Sequence, residues 1–357
     1  MAHPQPRDVR SGPSTIRRIV CLDIAYNCTR TRLNTTTPPP PNPSESDLPD
    51  PVQTHTIAFV MNVERLIDAT DFTLAPGHVL RRASATEVAH IKQGLIYFQT
   101  FTPPLSPWET NRASDGTVEF LREDEWRYFV IHCEGITESL REIERAARLA
   151  PVELEIAFKI GELSNGESGG YTLHPGRLFY RMQEAGWGRF GFVKIGAAEI
   201  EQIKNLLAPL EAHDRSEIDV DRLTDELLEL DALPPRSPLL LLGYFGMLES
   251  LLTHQSDPKD PLDSITRQIK NKVALLDNRF DHRLDYSSFA EASAEKIWTR
   301  MYELRSRLAH GDAPNFEGKL SILRDHQNAL QVIRQTVKAV LRQALREPKL
   351  VADLKNC

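Results

Sequence analysis

The chain has 357 residues, of which 41% are hydrophobic and 26% are charged, and 50 Asp and Glu against 43 Lys and Arg give a net charge of −7. These proportions are ordinary for a globular protein and exclude collagen-like and coiled-coil classes. The acidic balance argues against a protein that simply coats nucleic acid. At about 100–200 residues per domain, the length predicts two domains or three.

The sequence offers no signal for a membrane or an oxidising compartment. The longest apolar run, residues 239–248, is too short to span a bilayer and contains two glycines. The first thirty residues lack the continuous apolar stretch of a secretory signal. The four cysteines form no CxxC pair, which argues against a zinc knuckle and a disulfide framework. We therefore expect a cytoplasmic protein without membrane contact, metal or cofactor.

Proline dominates the first segment, residues 1–55, which has ten of the 24 prolines before residue 52. Residues 29–55 carry too little apolar surface to order themselves, so the segment is predicted to be mostly flexible. The short apolar stretch at 16–26 is typical of a strand. If it is one, the proline-rich part is an insertion and not part of a tail.

Residues 56–232 mix strand and helix patterns and are predicted to form an α+β domain. Runs of β-branched and aromatic residues predict strands at 56–63, 126–135 and 152–161. Apolar residues at helical spacing predict helices at 85–98, 136–150 and 197–213.

Two short motifs in this domain match known binding-site sequences but lack the flanking sequence that such sites require. Residues 186–191 spell GxGxxG, yet a strand-like FVKIG follows where a dinucleotide site needs a helix, so we interpret them as a glycine-rich turn. His132-Cys133-Glu134 matches half of a deaminase signature, but no PCxxC follows, and no zinc site is predicted.

After the break LPPRSP at 233–238, the pattern becomes nearly all helix and defines a second domain at residues 234–357. Ser237-Pro238 is a typical N-cap and first helical residue. Four helices are predicted, at 239–254, 265–280, about 288–310 and about 320–345, and short loops between them make a helical bundle. The fold class is therefore α+β: a mixed N-terminal α+β domain followed by an all-α four-helix bundle. With 19 Lys and Arg against 15 Asp and Glu, the bundle suits an anionic ligand.

The third helix of the bundle ends in MYELRSRLAHG, residues 301–311. Arg305 and His310 are separated there by four residues, and Gly311 follows where a helix normally stops. The spacing alone is a weak signal, because chance produces it often in a chain with 11 histidines. Its position at the end of an amphipathic helix, in the basic part of the chain, makes this pair the best candidate site.

Residues 304–311, LRSRLAHG, resemble the Arg-x4–6-His motif of the HEPN superfamily, whose Apea-like group characteristically reads close to lRSrlaHG. The stretches at 248–254 and 265–276 are similar to the acidic-residue-bearing first helix and the second helix of that bundle. The resemblance covers residues 237–347. Residues 72–91 are similar in style to the domain that precedes Apea-like bundles.

The resemblance implies a HEPN-type bundle and a metal-independent endoribonuclease of a host-defence or toxin system, with Arg305 and His310 as its catalytic residues. RNA, the implied substrate, is cut by its own 2′-OH, leaving a 2′,3′-cyclic phosphate and a 5′-hydroxyl. Histidine titrates near neutrality and can move the protons, while the arginine fork matches phosphate oxygens. A homodimer through the bundle is implied, with the domain at 56–232 as a sensor and a regulatory or antitoxin partner.

The resemblance implies supporting roles for neighbouring side chains. Each of these roles has a simpler structural alternative. Glu249 supports Arg305, or the two form an ordinary salt bridge. Ser306 hydrogen-bonds phosphate, or does nothing. Arg300 and Arg307, seven residues apart on one helix face, contact RNA, although such arginines are more often merely solvated.

Two further interpretations concern the helix that carries the motif. His310 is either a catalytic group or an ordinary C-terminal histidine that interacts with the helix dipole. Trp298 and Tyr302 are interpreted as core or dimer packing and not as base-stacking platforms.

The geometry of one straight helix separates the two motif residues. At about 100° per residue, Arg305 and His310 lie about 140° apart around the axis. Either the helix loosens at His310-Gly311, or His310 meets the Arg305 of a partner chain. We favour a two-fold dimer, because it gathers both pairs and supplies two histidines for acid and base roles.

The alternative function is a non-catalytic HEPN module for interaction or RNA binding, with the motif retained for structure. Loss of the arginine or the histidine would have favoured it, and both are present. A nucleotide-binding regulator ranks last, because the mixed domain has no P-loop and no credible Rossmann signature.

Overall fold

The computed structural model describes residues 53–97, 106–113, 115–135, 140–163, 168–173, 192–255, 264–289 and 292–357. The proline-rich segment and the strand predicted at 16–26 lie outside these residues, apart from 53–55. The glycine-rich turn predicted at 186–191 also lies outside them.

A six-stranded antiparallel sheet organises the N-terminal half of the described chain. The strands are β1 Gln53–Val60, β2 Val63–Leu66, β3 Asp71–Ala75, β4 His78–Arg82, β5 Thr110–Arg112, β6 Val118–Phe120, β7 Phe129–Glu134, β8 Ile156–Leu163, β9 Ser168–Leu173 and β10 Val193–Ile195. The sheet has the order β3-β4-β7-β1-β8-β9, while β10 pairs with β2 in parallel and β5 pairs with β6. The three strands predicted from the sequence are confirmed as β1, β7 and β8, the centre of this sheet.

The central strand is apolar on both faces because both faces of the sheet are covered. Successive side chains of a strand point to opposite faces. Ala58 and Val60 belong to one buried cluster, and Ile57 and Phe59 belong to another. This double burial explains why the sequence reads as a nearly continuous apolar run and not as an alternating one.

Helices supply these covering layers and the whole C-terminal region. In the described residues they are α1 Ala85–Tyr97, α2 Leu140–Leu149, α3 Ala197–Ala212, α4 Val220–Leu230, α5 Pro238–Leu252, α6 Ile265–Asp277, α7 Ala294–Ala309, α8 His326–Arg346 and α9 Pro348–Asn356. Helix α1 packs on the face of Ile57, and α2 and α3 pack on the opposite face. None of these helices has the length and apolar composition needed to cross a bilayer.

Side-chain caps fix where the C-terminal helices begin. The Ser237 hydroxyl accepts a hydrogen bond from the Leu239 amide, and Ser264 and Ser293 cap α6 and α7 in the same way. The four predicted helices are confirmed as α5 to α8, although α7 begins at residue 294 and α8 at residue 326, each several residues later than predicted. Helix α9 was not predicted. The chain is thus of the mixed α+β class.

A buried ionic network joins the sheet region to the C-terminal helices. Glu153, in the turn before β8, lies 2.8 Å from Arg148 of α2 and 2.7 Å from both Arg334 and Lys338 of α8. Asp231, at the end of α4, lies 2.7 Å from Arg148 and 3.3 Å from Arg334. One buried apolar cluster also extends from the sheet to α9. Both the network and this cluster cross the division predicted between residues 56–232 and 234–357.

Candidate functional site

Helix α7 presents the motif because its apolar face is anchored in the core. Ile297, Met301, Leu304 and Leu308 recur at helical spacing and are all buried. The opposite side of α7, with Ser306, remains exposed. Trp298 is buried as well, and its indole N–H donates to the Tyr286 hydroxyl at 2.9 Å.

The C-terminus of α7 is a complete Schellman motif. The Gly311 amide donates to the Leu308 carbonyl at 3.1 Å, and the Asp312 amide donates to the Arg307 carbonyl at 2.9 Å. Gly311 has a φ of +82°, a conformation that favours glycine. The helix therefore ends at Ala309, as the glycine in the sequence suggested, and His310 occupies the C-cap position, where its side chain is exposed.

Arg305 contacts a carboxylate on the neighbouring helix. Its Nη2 donates to Glu249 Oε2 of α5 at 3.1 Å. The Arg305 side chain is 37% exposed, whereas that of Glu249 is 16% exposed. The pairing of these two residues that the sequence suggested is present, and it leaves the guanidinium open to solvent on one side.

Nε of Arg305 is buried without a hydrogen bond among the described residues. The Tyr302 hydroxyl and Oε1 of Glu249 are also buried, and these two side chains interact with each other. Tyr302 packs edge-on against Phe245, with ring centroids 5.2 Å apart, in line with the packing role predicted for it. Burial raises the pKa of Tyr302, and the nearby Glu249 carboxylate raises it further, so the phenol stays neutral. Incomplete hydrogen bonding of this kind is unusual for buried polar groups.

The two predicted RNA-contacting arginines share one carboxylate. Arg300 Nη1 lies 2.6 Å from Glu303 Oε2, and Arg307 Nη2 lies 2.9 Å from Glu303 Oε1. Desolvation raises the pKa of Glu303, but the hydrogen bonds from the two arginines outweigh it and lower the pKa below its usual value. Three charged side chains on one helix face therefore carry a net charge of +1. Sequence analysis missed Glu303, although its i,i+3 and i,i+4 spacing to the two arginines was visible.

The structure thus divides the predicted site residues into three groups. Arg305 and Glu249 are in contact across α5 and α7. Arg300 and Arg307 are in contact with Glu303. Ser306 and His310 are exposed, and among the described residues no hydrogen bond or ion pair joins the side chains of Arg305 and His310.

Within the ranges that the structure describes, no group of three or more His, Cys, Asp or Glu side chains is placed to hold a metal ion. His132, Cys133 and Glu134 lie in β7, and burial raises the pKa of the Cys133 thiol to about 12. A cysteine with such a pKa is neutral at pH 7 and is a poor nucleophile and metal ligand.

Comparison with known proteins adds no relative. No family model, no curated protein and no solved structure matches the chain. The resemblance of residues 237–347 to the HEPN superfamily is therefore carried by the motif and the helix pattern alone.

Proposed function

We propose that this protein is a metal-independent endoribonuclease of the HEPN type, acting in a host-defence or toxin-type system. The observation that carries the proposal is the pair formed by Arg305 and Glu249 on the helix that ends at the exposed His310. An arginine that is held by a partly buried carboxylate and is itself 37% exposed is oriented for an incoming anion. An exposed imidazole at the end of the same helix is able to exchange protons.

Each group has a defined part in the proposed reaction. His310 takes the proton from the 2′-OH of RNA, and the 2′ oxygen attacks the adjacent phosphorus. The bond to the 5′ oxygen breaks, and a protonated histidine supplies the proton to that leaving group. Arg305 offsets the charge that builds on the phosphorane oxygens. The products are a 2′,3′-cyclic phosphate and a 5′-hydroxyl.

Glu249 acts as a positioning residue in this scheme. Its contact with one Nη atom fixes the guanidinium plane and lowers the entropy that Arg305 loses when phosphate binds. Arg300 and Arg307 supply a weakly positive surface for the RNA backbone, and Ser306 is an exposed donor near the motif.

Two histidines are needed for simultaneous acid and base catalysis, and we propose that a homodimer through the helical bundle supplies them. His310 lies at the C-cap, so the end of α7 is able to enter a cleft shared with a partner chain. The sheet region and any antitoxin partner then regulate access to that cleft.

The activity is tested by incubating purified protein with total RNA in EDTA and sequencing the 5′-hydroxyl ends. We expect wild-type protein to create such ends and His310→Ala to lose them while keeping its fold and its oligomeric mass. Ends produced equally by His310→Ala, or ends that disappear in EDTA, would contradict the proposal.

The dimeric site is tested by mixing wild-type subunits with an excess of His310→Ala subunits. If each chain of a dimer supplies one histidine to a shared cleft, a mixed dimer lacks either the acid or the base, and cleavage per wild-type subunit falls as the variant is added. If each chain carries a complete site, cleavage per wild-type subunit stays constant. A strictly monomeric mass in solution would remove the shared cleft.

One observation also suits the alternative of a non-catalytic HEPN module for interaction or RNA binding. The contact between Arg305 and Glu249 is what a structural pair between α5 and α7 would require. In that case Arg305→Ala lowers the free energy of unfolding and wild-type protein leaves RNA uncut.

A further inference from the structure

A cavity of about 130 Å³ lies outside the proposed nuclease site, where α8 meets the loop that follows α6. Its lining comes from α8, from that loop and from the turn after α2. The lining residues are Pro151, His282, Arg283, Leu284, Asp285, Gln335, Lys338, Ala339 and Arg342. Three parts of the chain that are distant in sequence therefore share its wall.

The wall of this cavity is basic in a protein whose net charge is −7. Lys338, Arg342 and Arg283 each bring a positive charge, and Asp285 is the only carboxylate among its described lining residues. With His282 neutral, the formal charge of the lining is +2, and the carboxylates paired with Lys338 and Arg342, which are Glu153 and Asp281, are not among the lining residues. In an acidic molecule, the local positive charge of such a cavity favours the binding of an anion there.

Two of these cations are buried, which is unusual for side chains without a role. Lys338 is 5% exposed and Arg342 is 7% exposed. Lys338 Nζ donates to the Ala150 carbonyl at 2.6 Å and to Glu153 at 2.7 Å, which uses two of its three N–H groups. Arg342 Nη1 donates to the Leu149 carbonyl at 2.7 Å, and its buried Nε lies 3.6 Å from Asp281 Oδ2, within reach of an ion pair but too far for a hydrogen bond.

The charges of this region repel one another. Burial lowers the pKa of Lys338 to about 8, with Glu153 opposing the shift and Arg334 and Arg342 adding to it. Burial also lowers the pKa of Arg342, although Asp281 opposes that shift. An anion in the cavity would relieve this repulsion and restore the full charge of the lysine.

We propose that this cavity binds a tetrahedral oxyanion of the phosphate class, held by buried Lys338 and Arg342 and by exposed Arg283 and His282. Arginine and lysine at one small site are the usual protein groups for phosphate oxygens. Because the loop from His282 to Asp285, the α2 turn and α8 all border the ligand, its binding ties these segments together. The inference does not rest on the nuclease proposal.

Calorimetric titration of the full-length protein tests the site, with sodium chloride holding the ionic strength constant. Sulfate is the first probe, because it stays a dianion between pH 7 and pH 9. We expect wild-type protein to bind it at pH 7 and to bind it about tenfold more weakly at pH 9, where most Lys338 is neutral. Absence of binding at pH 7 would overturn the proposal.

Two exposed arginines near the cavity make a matched pair of variants. Arg283→Ala removes a charge from the wall and should weaken sulfate binding about tenfold. Arg279→Ala removes the same charge from an arginine that lies outside the lining and pairs with Glu347, and should leave binding unchanged. Equal affinities of the two variants would contradict the site.

Asp285→Asn provides a change of opposite sign. In the wild-type protein the Ser287 amide donates a hydrogen bond to Asp285 Oδ1 at 2.8 Å. The substitution removes the negative charge from the wall, and the asparagine oxygen still accepts this hydrogen bond. Sulfate should then bind about threefold more tightly.

Inorganic phosphate and a nucleoside monophosphate are the last probes. Equal binding of both indicates that the site recognises the phosphate group alone. If neither binds and sulfate does not bind either, the assignment is refuted.

Discussion

Two contacts between arginine and carboxylate in this molecule have opposite surroundings. Glu153 is contacted by Arg148, Arg334 and Lys338, and its side chain is 9% exposed. Glu249 receives one hydrogen bond from Arg305 at 3.1 Å, and its second oxygen is buried near the Tyr302 hydroxyl. The first carboxylate uses its charge entirely within the protein. The second leaves its arginine available to a ligand.

This difference separates a structural role from a functional one. A buried charge is tolerated when its partners and hydrogen bonds are complete, and removing one partner is then costly. Asp231 shows the same completeness, since it also accepts a hydrogen bond from the Tyr244 hydroxyl at 2.6 Å. A half-exposed pair such as Arg305 and Glu249 contributes little to stability. Its value, in the proposed function, lies in orientation.

The largest expected effect is on activity and comes from Arg305→Lys. An ammonium cannot present the two-pronged donor that phosphate oxygens need. We expect RNA cleavage in EDTA to fall by a factor on the order of 10²–10⁴. Arg236→Lys, at an exposed arginine remote from the motif in sequence, is the control and should cut at the wild-type rate. Wild-type cleavage by Arg305→Lys would reduce Arg305 to a structural residue.

Replacing Glu153 or Glu249 with glutamine should lower the free energy of unfolding by different amounts. Glu153→Gln leaves three cations around a neutral amide and should lower the free energy of unfolding by about 3–5 kcal/mol. Glu249→Gln should lower it by about 1 kcal/mol or less. Urea unfolding followed by circular dichroism measures both. Losses of equal size would remove the distinction between the two regions.

Lowering the pH should also destabilise the protein through the buried network around Glu153. Burial opposes ionisation, but Arg334, Lys338 and Arg148 together lower the pKa of Glu153 to about 2. A group with a depressed folded-state pKa stabilises above its unfolded pKa and loses that contribution as the pH falls. The free energy of unfolding should therefore drop by about 1.4 kcal/mol per pH unit between about pH 4.5 and pH 2 from this group.

The Glu153→Gln variant is the control for this titration. Its unfolding free energy should fall less steeply over the same pH range, because the titrating carboxylate is gone. Parallel curves for the two proteins would show that Glu153 is not the group that titrates.

The smallest expected effect concerns the weakly positive surface of α7. Glu303→Gln frees Arg300 and Arg307 from their shared carboxylate and should tighten RNA binding about threefold at low salt. A His310→Ala background prevents cleavage during the measurement. Glu295→Gln makes the same charge change at a carboxylate paired with Lys270. If both variants tighten binding equally, net charge and not these two arginines is responsible.

Local patterns predicted much of this fold. Strands β1, β7 and β8 followed from runs of β-branched and aromatic residues, and helices α5 to α8 followed from helical periodicity. Ser237 and Gly311 marked helix ends where the structure has them. Helix α7 begins later than predicted because the Ser293 hydroxyl caps it by accepting a hydrogen bond from the Lys296 amide. The short strands β3 and β4 lack a strong apolar pattern and were missed for that reason.

Contacts between distant residues could not be predicted in the same way. Arg334 and Glu153 are 181 positions apart, and no local pattern links them. Glu249 was expected to support Arg305 because of the resemblance to HEPN bundles, and the two side chains are in contact 3.1 Å apart. The sharing of Glu303 was local and could have been predicted from its spacing to Arg300 and Arg307.

The most direct test of the functional account is the rate at which folded His310→Ala cuts one synthetic RNA in EDTA, measured together with its unfolding free energy. The imidazole lies at an exposed C-cap, so we expect the free energy of unfolding to stay within about 1 kcal/mol of wild type. Cleavage should fall by a factor on the order of 10²–10⁴. A folded variant that cuts as fast as wild type would show that His310 takes no part in catalysis.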